Sequence, residues 1–165
     1  MEKCEITGLG THIKVTDIEK SREFYESLGF KPVFAYGDEK WRANFPGIPS
    51  ADESYRGLTF AIGESAKLEI AEGHIGIKHQ DVFKTRIENE KVSAMVNVKS
   101  LVSLFTPPSG KIDVKFPVRH YYWGTIEAAF RDPDGFVLVF IAPYSEEEFN
   151  SLSQLTKIEK IEKKN

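Results

Sequence analysis

The sequence predicts an α+β fold built from two modules that share one plan: strand, helix, strand, strand, strand. Two signatures carry the prediction. In the first, Asp17 closes an apolar, β-branched run and leads into Phe24-Tyr25 and Leu28-Gly29, the marks of a strand entering a capped helix. In the second, Trp123-Gly124 leads into Asp132-Pro133-Asp134-Gly135, a tight turn between two apolar runs.

Residues 11–15 read as the first strand. Asp17 can cap a helix in which Ile18, Phe24, Tyr25 and Leu28 fall near one face while Glu19, Lys20, Arg22, Glu23 and Glu26 take the other. Gly29 stops that helix, and residues 33–36 form the next strand. Residues 37–57 then read as a long loop, broken by Pro46, Gly47, Pro49 and Ser50 and carrying Trp41, Phe45 and Tyr55. Two readings of it stand side by side: a lid over a site, or an ordered excursion that plugs the sheet edge. Runs 58–62 and 67–71 make a hairpin around Gly63-Glu64-Ser65-Ala66 and complete the first module.

Residues 73–91 are polar and mixed, as expected of a linker. A strand at 94–98, a short helix at 100–105 ended by Pro107-Pro108, and strands at 112–116, 125–130 and 136–141 restart the same order. Ser145 can cap a final helix, with Glu146, Glu147 and Glu148 in its first turn and Phe149, Leu152, Leu155 and Ile158 as one apolar stripe. Residues 159–165 read as a solvated, frayed end. The expected organisation is one domain over 1–165: a first module at about 8–72, the linker, a second module at about 92–144, and a C-terminal helix at 145–160.

The 165-residue length suits one such domain. A hydrophobic fraction of 41% and a net charge of -3 give no basic field to gather nucleic acid or acidic lipid, so neither partner is expected. The lone Cys4 has no partner for a disulfide, the start Met-Glu-Lys-Cys-Glu-Ile lacks the apolar core of a signal peptide, and no apolar run is long enough to span a bilayer. A cytoplasmic protein is expected. No nucleotide loop, paired zinc-type cysteines or serine-hydrolase elbow appears, and Gly8-Leu9-Gly10 precedes a strand instead of following one. The two aspartates of 132–135 invite a catalytic reading, but turn chemistry accounts for all four residues.

Taken together, Val15 to Ser21 with Phe24-Tyr25 and Leu28-Gly29, and Trp123-Gly124 through Glu127 to Asp132-Pro133-Asp134-Gly135, resemble the vicinal oxygen chelate superfamily. That superfamily includes glyoxalase I, extradiol dioxygenases, methylmalonyl-CoA epimerase and the bleomycin and fosfomycin resistance proteins. The resemblance spans residues 8–144. It implies paired βαβββ modules whose curved mixed sheets enclose a cavity, commonly completed by a homodimer. In metal-dependent members four ligands project into that cavity, and the corresponding positions here are Gly10, Glu69, Ser93 and Val139. One carboxylate among four cannot hold a catalytic divalent ion, so no cofactor is expected and the metal set is empty.

His12 complicates that count, because it lies two residues beyond Gly10 on the same strand face; a register shift of two would place it beside Glu69 as a ligand, a polar anchor or a general base. His120, Tyr121, Tyr122 and Trp123 form a second cluster, in which alternation sends His120 and Tyr122 one way and Tyr121 and Trp123 the other. Packing in the core and stacking on a flat or cationic ligand both remain open for them, with Trp41 and Phe45 as partners. Glu127, a position often acidic in bleomycin-type binders, can be a surface residue or an anchor for a cationic group. The candidate ligand-binding set is therefore His12, Glu69, Trp41, Phe45, His120, Tyr122, Trp123 and Glu127. The expected function is metal-free binding of a small, partly aromatic or amphipathic molecule. The alternative is a lyase, isomerase or dioxygenase in which Glu69 and His12 contribute to an atypical divalent-metal site or act as an acid/base pair.

Overall fold

The computed structural model describes residues 9–62, 66–74, 78–86, 91–106 and 117–163. The chain divides into two compact units, Met1–Arg86 and Ile87–Asn165, and the boundary falls inside the segment expected to link two modules.

In the first unit β1 (Leu9–Lys14), α1 (Ile18–Ser27), β2 (Lys31–Gly37), α2 (Glu39–Arg42), β3 (Ser50–Asp52), β4 (Gly57–Ile62) and β5 (Ala66–Ala71) follow in order. Asp17 caps α1 as its sequence position predicts, accepting from the Lys20 amide at 3.2 Å. That bond holds the Asp17 carboxyl below the usual carboxylate range. Gly29 ends the helix with φ +91°, a backbone angle that a side chain disfavours. Ile18, Ser21 and Tyr25 are the buried face of α1, and Tyr25 meets Phe30 and Phe60 at ring distances of 5.4 and 5.7 Å.

Residues 38–52 of the 37–57 segment form an ordered sheet edge. Asp38 caps α2 through the Trp41 amide at 2.8 Å, and β3 pairs in parallel with β2. Trp41 is only 2% exposed, donates its indole N–H to the Gly57 carbonyl at 3.3 Å, and carries Phe45 edge-on at 4.9 Å. The guanidinium groups of Arg22 and Arg56 lie over its ring. An indole buries more apolar surface than most side chains, so a loop rich in aromatics gains more by packing than by standing over a solvated cleft.

The second unit comprises β6 (Ser93–Asn97), a 3-10 turn (Val102–Phe105), β7 (Val118–Tyr121), β8 (Thr125–Arg131), β9 (Val137–Pro143), α3 (Glu146–Ser153) and β10 (Ile158–Ile161). The short helix expected at 100–105 is thus a single 3-10 turn. The strand expected at 112–116 and the turn at 63–65 lie outside the described residues. Asp132 shapes the 132–135 turn, accepting from the Asp134 and Phe136 amides at 3.0 and 2.7 Å.

The chain's end departs from expectation. Ser145 does cap α3, through the Glu148 amide at 3.1 Å, and Leu152 is fully buried; but the helix stops at Ser153, Leu155 is exposed, and Ile158 belongs to a strand. Residues 158–161 are not frayed: β10 pairs in parallel with the edge of β7. The apolar stripe therefore breaks after Leu152. β-branched Ile158 and Ile161 gain more from the free β7 ladder than from another helical turn.

Both sheets are mixed and five-stranded, ordered β1-β5-β4-β2-β3 and β10-β7-β8-β9-β6. The correspondence extends to direction, since β1 and β5 are parallel as are β6 and β9, the three central neighbours are antiparallel, and the outer strand joins in parallel in each case. No helix among the described residues is long and apolar enough to cross a membrane.

Candidate functional site

Alternation along β4 and β5 sends Leu58, Phe60, Leu68 and Ile70 to the buried side, where Phe60 meets Tyr25 of α1. The opposite, open face follows from the strand register. His12 lies beside Glu69, Glu69 beside Thr59, and Thr59 beside Phe34, one polar-to-aromatic row across four strands. The β2 ladder shifts between Pro32 and Phe34, where proline has no N–H to give, and that shift brings Phe34 opposite Thr59. In the next row Tyr36 faces Gly57, and a Cβ on Gly57 would overlap the Tyr36 ring. Gly57 is what lets that ring lie against the strand.

These rows floor a cleft of about 690 Å³, lined by Gly10, Thr11, His12, Val33, Phe34, Thr59, Ala61, Lys67 and Glu69. The Tyr36 hydroxyl donates to Glu69 Oε1 at 2.5 Å, and His12 Nε2 stands 3.9 Å from the same oxygen. Burial, then the hydrogen bond to Glu69 and the charges of Glu69, Tyr55 and Glu53, push the Tyr36 hydroxyl pKa up, so it remains a donor. Burial lowers the His12 pKa; Glu69 opposes that shift, while Lys14 and His74 add to it. The neutral imidazole is thereby favoured, with a buried Nε2 that has no hydrogen-bond partner. The His74 ring lies 5.2 Å from that of His12, and Tyr55 5.7 Å from Tyr36. Chemically the floor offers a carboxylate, a neutral imidazole within reach of it, and aromatic walls: a set able to orient a polar group or relay a proton.

A divalent metal does not fit these residues. Gly10 and Glu69 do line the first unit's cleft, and Ser93 and Val139 line a cavity of about 290 Å³ in the second unit, so the alignment picked inward-facing positions. Glycine and valine supply no side-chain donor there and serine a weak one. Among the described residues no group of three or more His, Cys, Asp or Glu side chains is placed to hold a metal ion. His12, not Gly10, shares Glu69's row, which decides the two-residue register question.

The remaining predicted residues fall elsewhere. Trp41 and Phe45 pack on each other and do not line the cleft. His120 stacks on Tyr144 at 4.1 Å with Phe149 edge-on at 5.9 Å, a packed position on the side of α3. Strand alternation fails for Tyr122 and Trp123, because β7 ends at Tyr121 and both lie in the turn, each 55% exposed. Trp123 is therefore not core; it stacks on Tyr121 at 4.2 Å and donates to Thr125 Oγ1 at 2.8 Å. Thr125 in turn donates to Glu127 Oε1 at 2.8 Å, and Glu127 lines the second unit's cavity with Tyr121 and Arg119. The fold thus brings together two predicted pairs, His12 with Glu69 and Trp41 with Phe45, while Trp123 and Glu127 are linked only through Thr125. Sequence reasoning missed Tyr36, His74 and Arg119, and left Tyr55 and Tyr121 outside the candidate set. The signal for Tyr36 was available in its two-residue spacing from Phe34 on a strand.

Solved structures sharing this arrangement include a member of the glyoxalase/bleomycin resistance protein/dioxygenase superfamily from Sphaerobacter thermophilus, 19% identical with a TM-score of 0.56 over 84% of this chain and 98% of that one. TnmS3, an antibiotic binding protein from Streptomyces sp. CB03234, is 20% identical with a TM-score of 0.54 over 87% and 99%. The fosfomycin resistance protein FosX from Mesorhizobium loti is 16% identical with a TM-score of 0.55 over 88% and 99%. The chain has the vicinal oxygen chelate fold. No family model and no curated protein matches it. Identities this low carry the vicinal oxygen chelate architecture alone, and the chemistry must be read from the side chains.

Proposed function

We propose that this vicinal oxygen chelate chain is a metal-free binder, holding a small, partly aromatic or amphipathic molecule in the cleft of its first unit, with sequestration as its activity. The observation that carries this reading is the His12–Glu69 pair on the floor of a cleft of about 690 Å³, with Glu69 held from beside the cleft by the Tyr36 hydroxyl. That volume suits a small organic ligand, and a few convergent polar groups among apolar and aromatic walls are what such a ligand requires for orientation. The antibiotic-binding TnmS3 and the resistance protein FosX, which share the fold, make a binding role a consistent choice. A homodimer working in the cytoplasm belongs to the same proposal.

The test combines elemental analysis of purified, untagged protein with a small-molecule screen followed by NMR on wild type and Glu69→Gln. Binders whose contacts map to His12 and Phe34, and which weaken in Glu69→Gln, support the reading. One tightly held metal ion per chain, or binders that ignore the cleft, would overturn it. A second reading is favoured by one observation: a neutral His12 held 3.9 Å from Glu69 is an arrangement suited to acid/base catalysis. Conversion of a bound molecule, lost in His12→Gln while its affinity persists, would move the assignment to a lyase or isomerase.

A further inference from the structure

Beside the cleft, and sharing Phe34, Thr59 and Glu69 with it, lies a recess of about 340 Å³. Tyr36, Tyr55 and His74 form its walls, with Tyr36 and Tyr55 edge to face at 86° and Tyr55 and His74 with ring centroids 6.4 Å apart. Glu53 and Glu69 both line it, and no lysine or arginine does so among the described residues. Glu69 accepts from the Tyr36 hydroxyl, while Glu53 is exposed and forms no ion pair among the described residues. Two carboxylates and two phenol rings with no internal cation make a recess of negative potential. Ring faces add to it, because their quadrupole presents negative charge to whatever sits over them.

We propose that this recess takes an organic cation, a protonated or quaternary amine, as the charged end of the ligand whose body lies in the neighbouring cleft; the proposal rests on the binding reading above. An alkylammonium group suits such walls better than a metal ion does. In a quaternary ammonium the charge is spread over several carbons that shed water at little cost and need only ring faces and a carboxylate nearby, while a protonated amine can also donate its N–H groups to the carboxylates. An anion would meet both carboxylates.

The test uses the full chain and three soluble compounds of similar size: benzyltrimethylammonium, benzyl alcohol and benzoate. Affinities come from NMR titration, with the Tyr36 and Tyr55 ring resonances reporting on the recess and those of the Val33 methyls and the His12 ring on the cleft. Benzyltrimethylammonium is expected to bind at least about tenfold more tightly than the other two and to shift the Tyr55 ring. Glu53→Gln, at an exposed position, is expected to weaken the cation several-fold and leave benzyl alcohol unchanged. Tyr55→Leu is a second variant with the same expected selectivity. Equal affinity for cation and alcohol, an unaffected cation in Glu53→Gln, or no detectable binding of the cation would each overturn the proposal. If benzyl alcohol still shifts Val33 and His12 in that event, the cleft reading survives and only the assignment of the recess fails.

Discussion

The hydrogen bond from Tyr36 to Glu69 can be weighed by removing each partner and then both. The Tyr36 ring is buried, 8% exposed, and its hydroxyl has Glu69 as acceptor at 2.5 Å, whereas the Glu69 side chain is 33% exposed to the cleft. The two single changes are therefore unequal. Glu69→Ala strands a buried hydroxyl, at a cost of about 1–3 kcal/mol. Tyr36→Phe removes only the donor, and Glu69 recovers water through the cleft, so about 1 kcal/mol is expected. In the double variant no stranded hydroxyl remains, and a coupling energy of about 1 kcal/mol follows. Urea denaturation in a Trp123→Phe background reads this cleanly, because the remaining Trp41 is buried in the same unit as both residues. Additivity within about 0.3 kcal/mol would refute the bond's role. A loss above about 4 kcal/mol for Glu69→Ala alone would show instead that Glu69 is a structural partner and not a group available to a ligand.

Other perturbations have definite expected outcomes. The lowered His12 pKa means that, between its folded value and the ordinary 6.5, the unfolded chain binds more protons than the folded one. Stability should therefore be lost as pH falls below about 6.5, and His12→Gln should flatten that part of a stability–pH curve measured by urea midpoints. Gly57→Ala, whose methyl group would overlap the Tyr36 ring, should cost about 2–3 kcal/mol, while Gly29→Ala, strained by its φ of +91° but with open space around the position, should cost about 1 kcal/mol. Thermal melts of the two variants separate steric from conformational cost. Acrylamide should quench the exposed Trp123 strongly and Trp41 weakly, and the difference between Trp41→Phe and Trp123→Phe measures it.

The parts legible in sequence are those written in local chemistry. Asp17 before an apolar helical face, Gly29 after it, and the Asp132 turn each act within four residues, and each appears where the local pattern places it. His12 and Glu69 were legible as a pair because period-two alternation is rigid once a strand is identified. The outer strands were not. Residues 50–52 and 158–161 are short and polar or charged, and what makes them strands is a free parallel ladder offered by β2 and β7, a tertiary fact with no local signature. Trp41 failed for the same reason, since an aromatic residue in a loop is read as exposed until the carbonyl that receives its N–H is known.

Because the two sheets share one strand order and one set of directions, their open faces can be compared position by position within each unit. In the first, β1 and β5 set His12 beside Glu69; in the second, β6 and β9 set Met95 beside Val139. Continuing each row, Glu69 meets Thr59 and then Phe34, whereas Val139 meets Ala129. An acid, an imidazole and a hydroxyl on one sheet thus correspond to a thioether and two aliphatic side chains on the other. A buried polar atom left unpaired is costly, and His12 Nε2 is buried there without a hydrogen-bond partner among the described residues. A duplicated scaffold asks for the same hydrophobic pattern in both halves. The departure from it in one row of one sheet is where a ligand's polar group has something to meet.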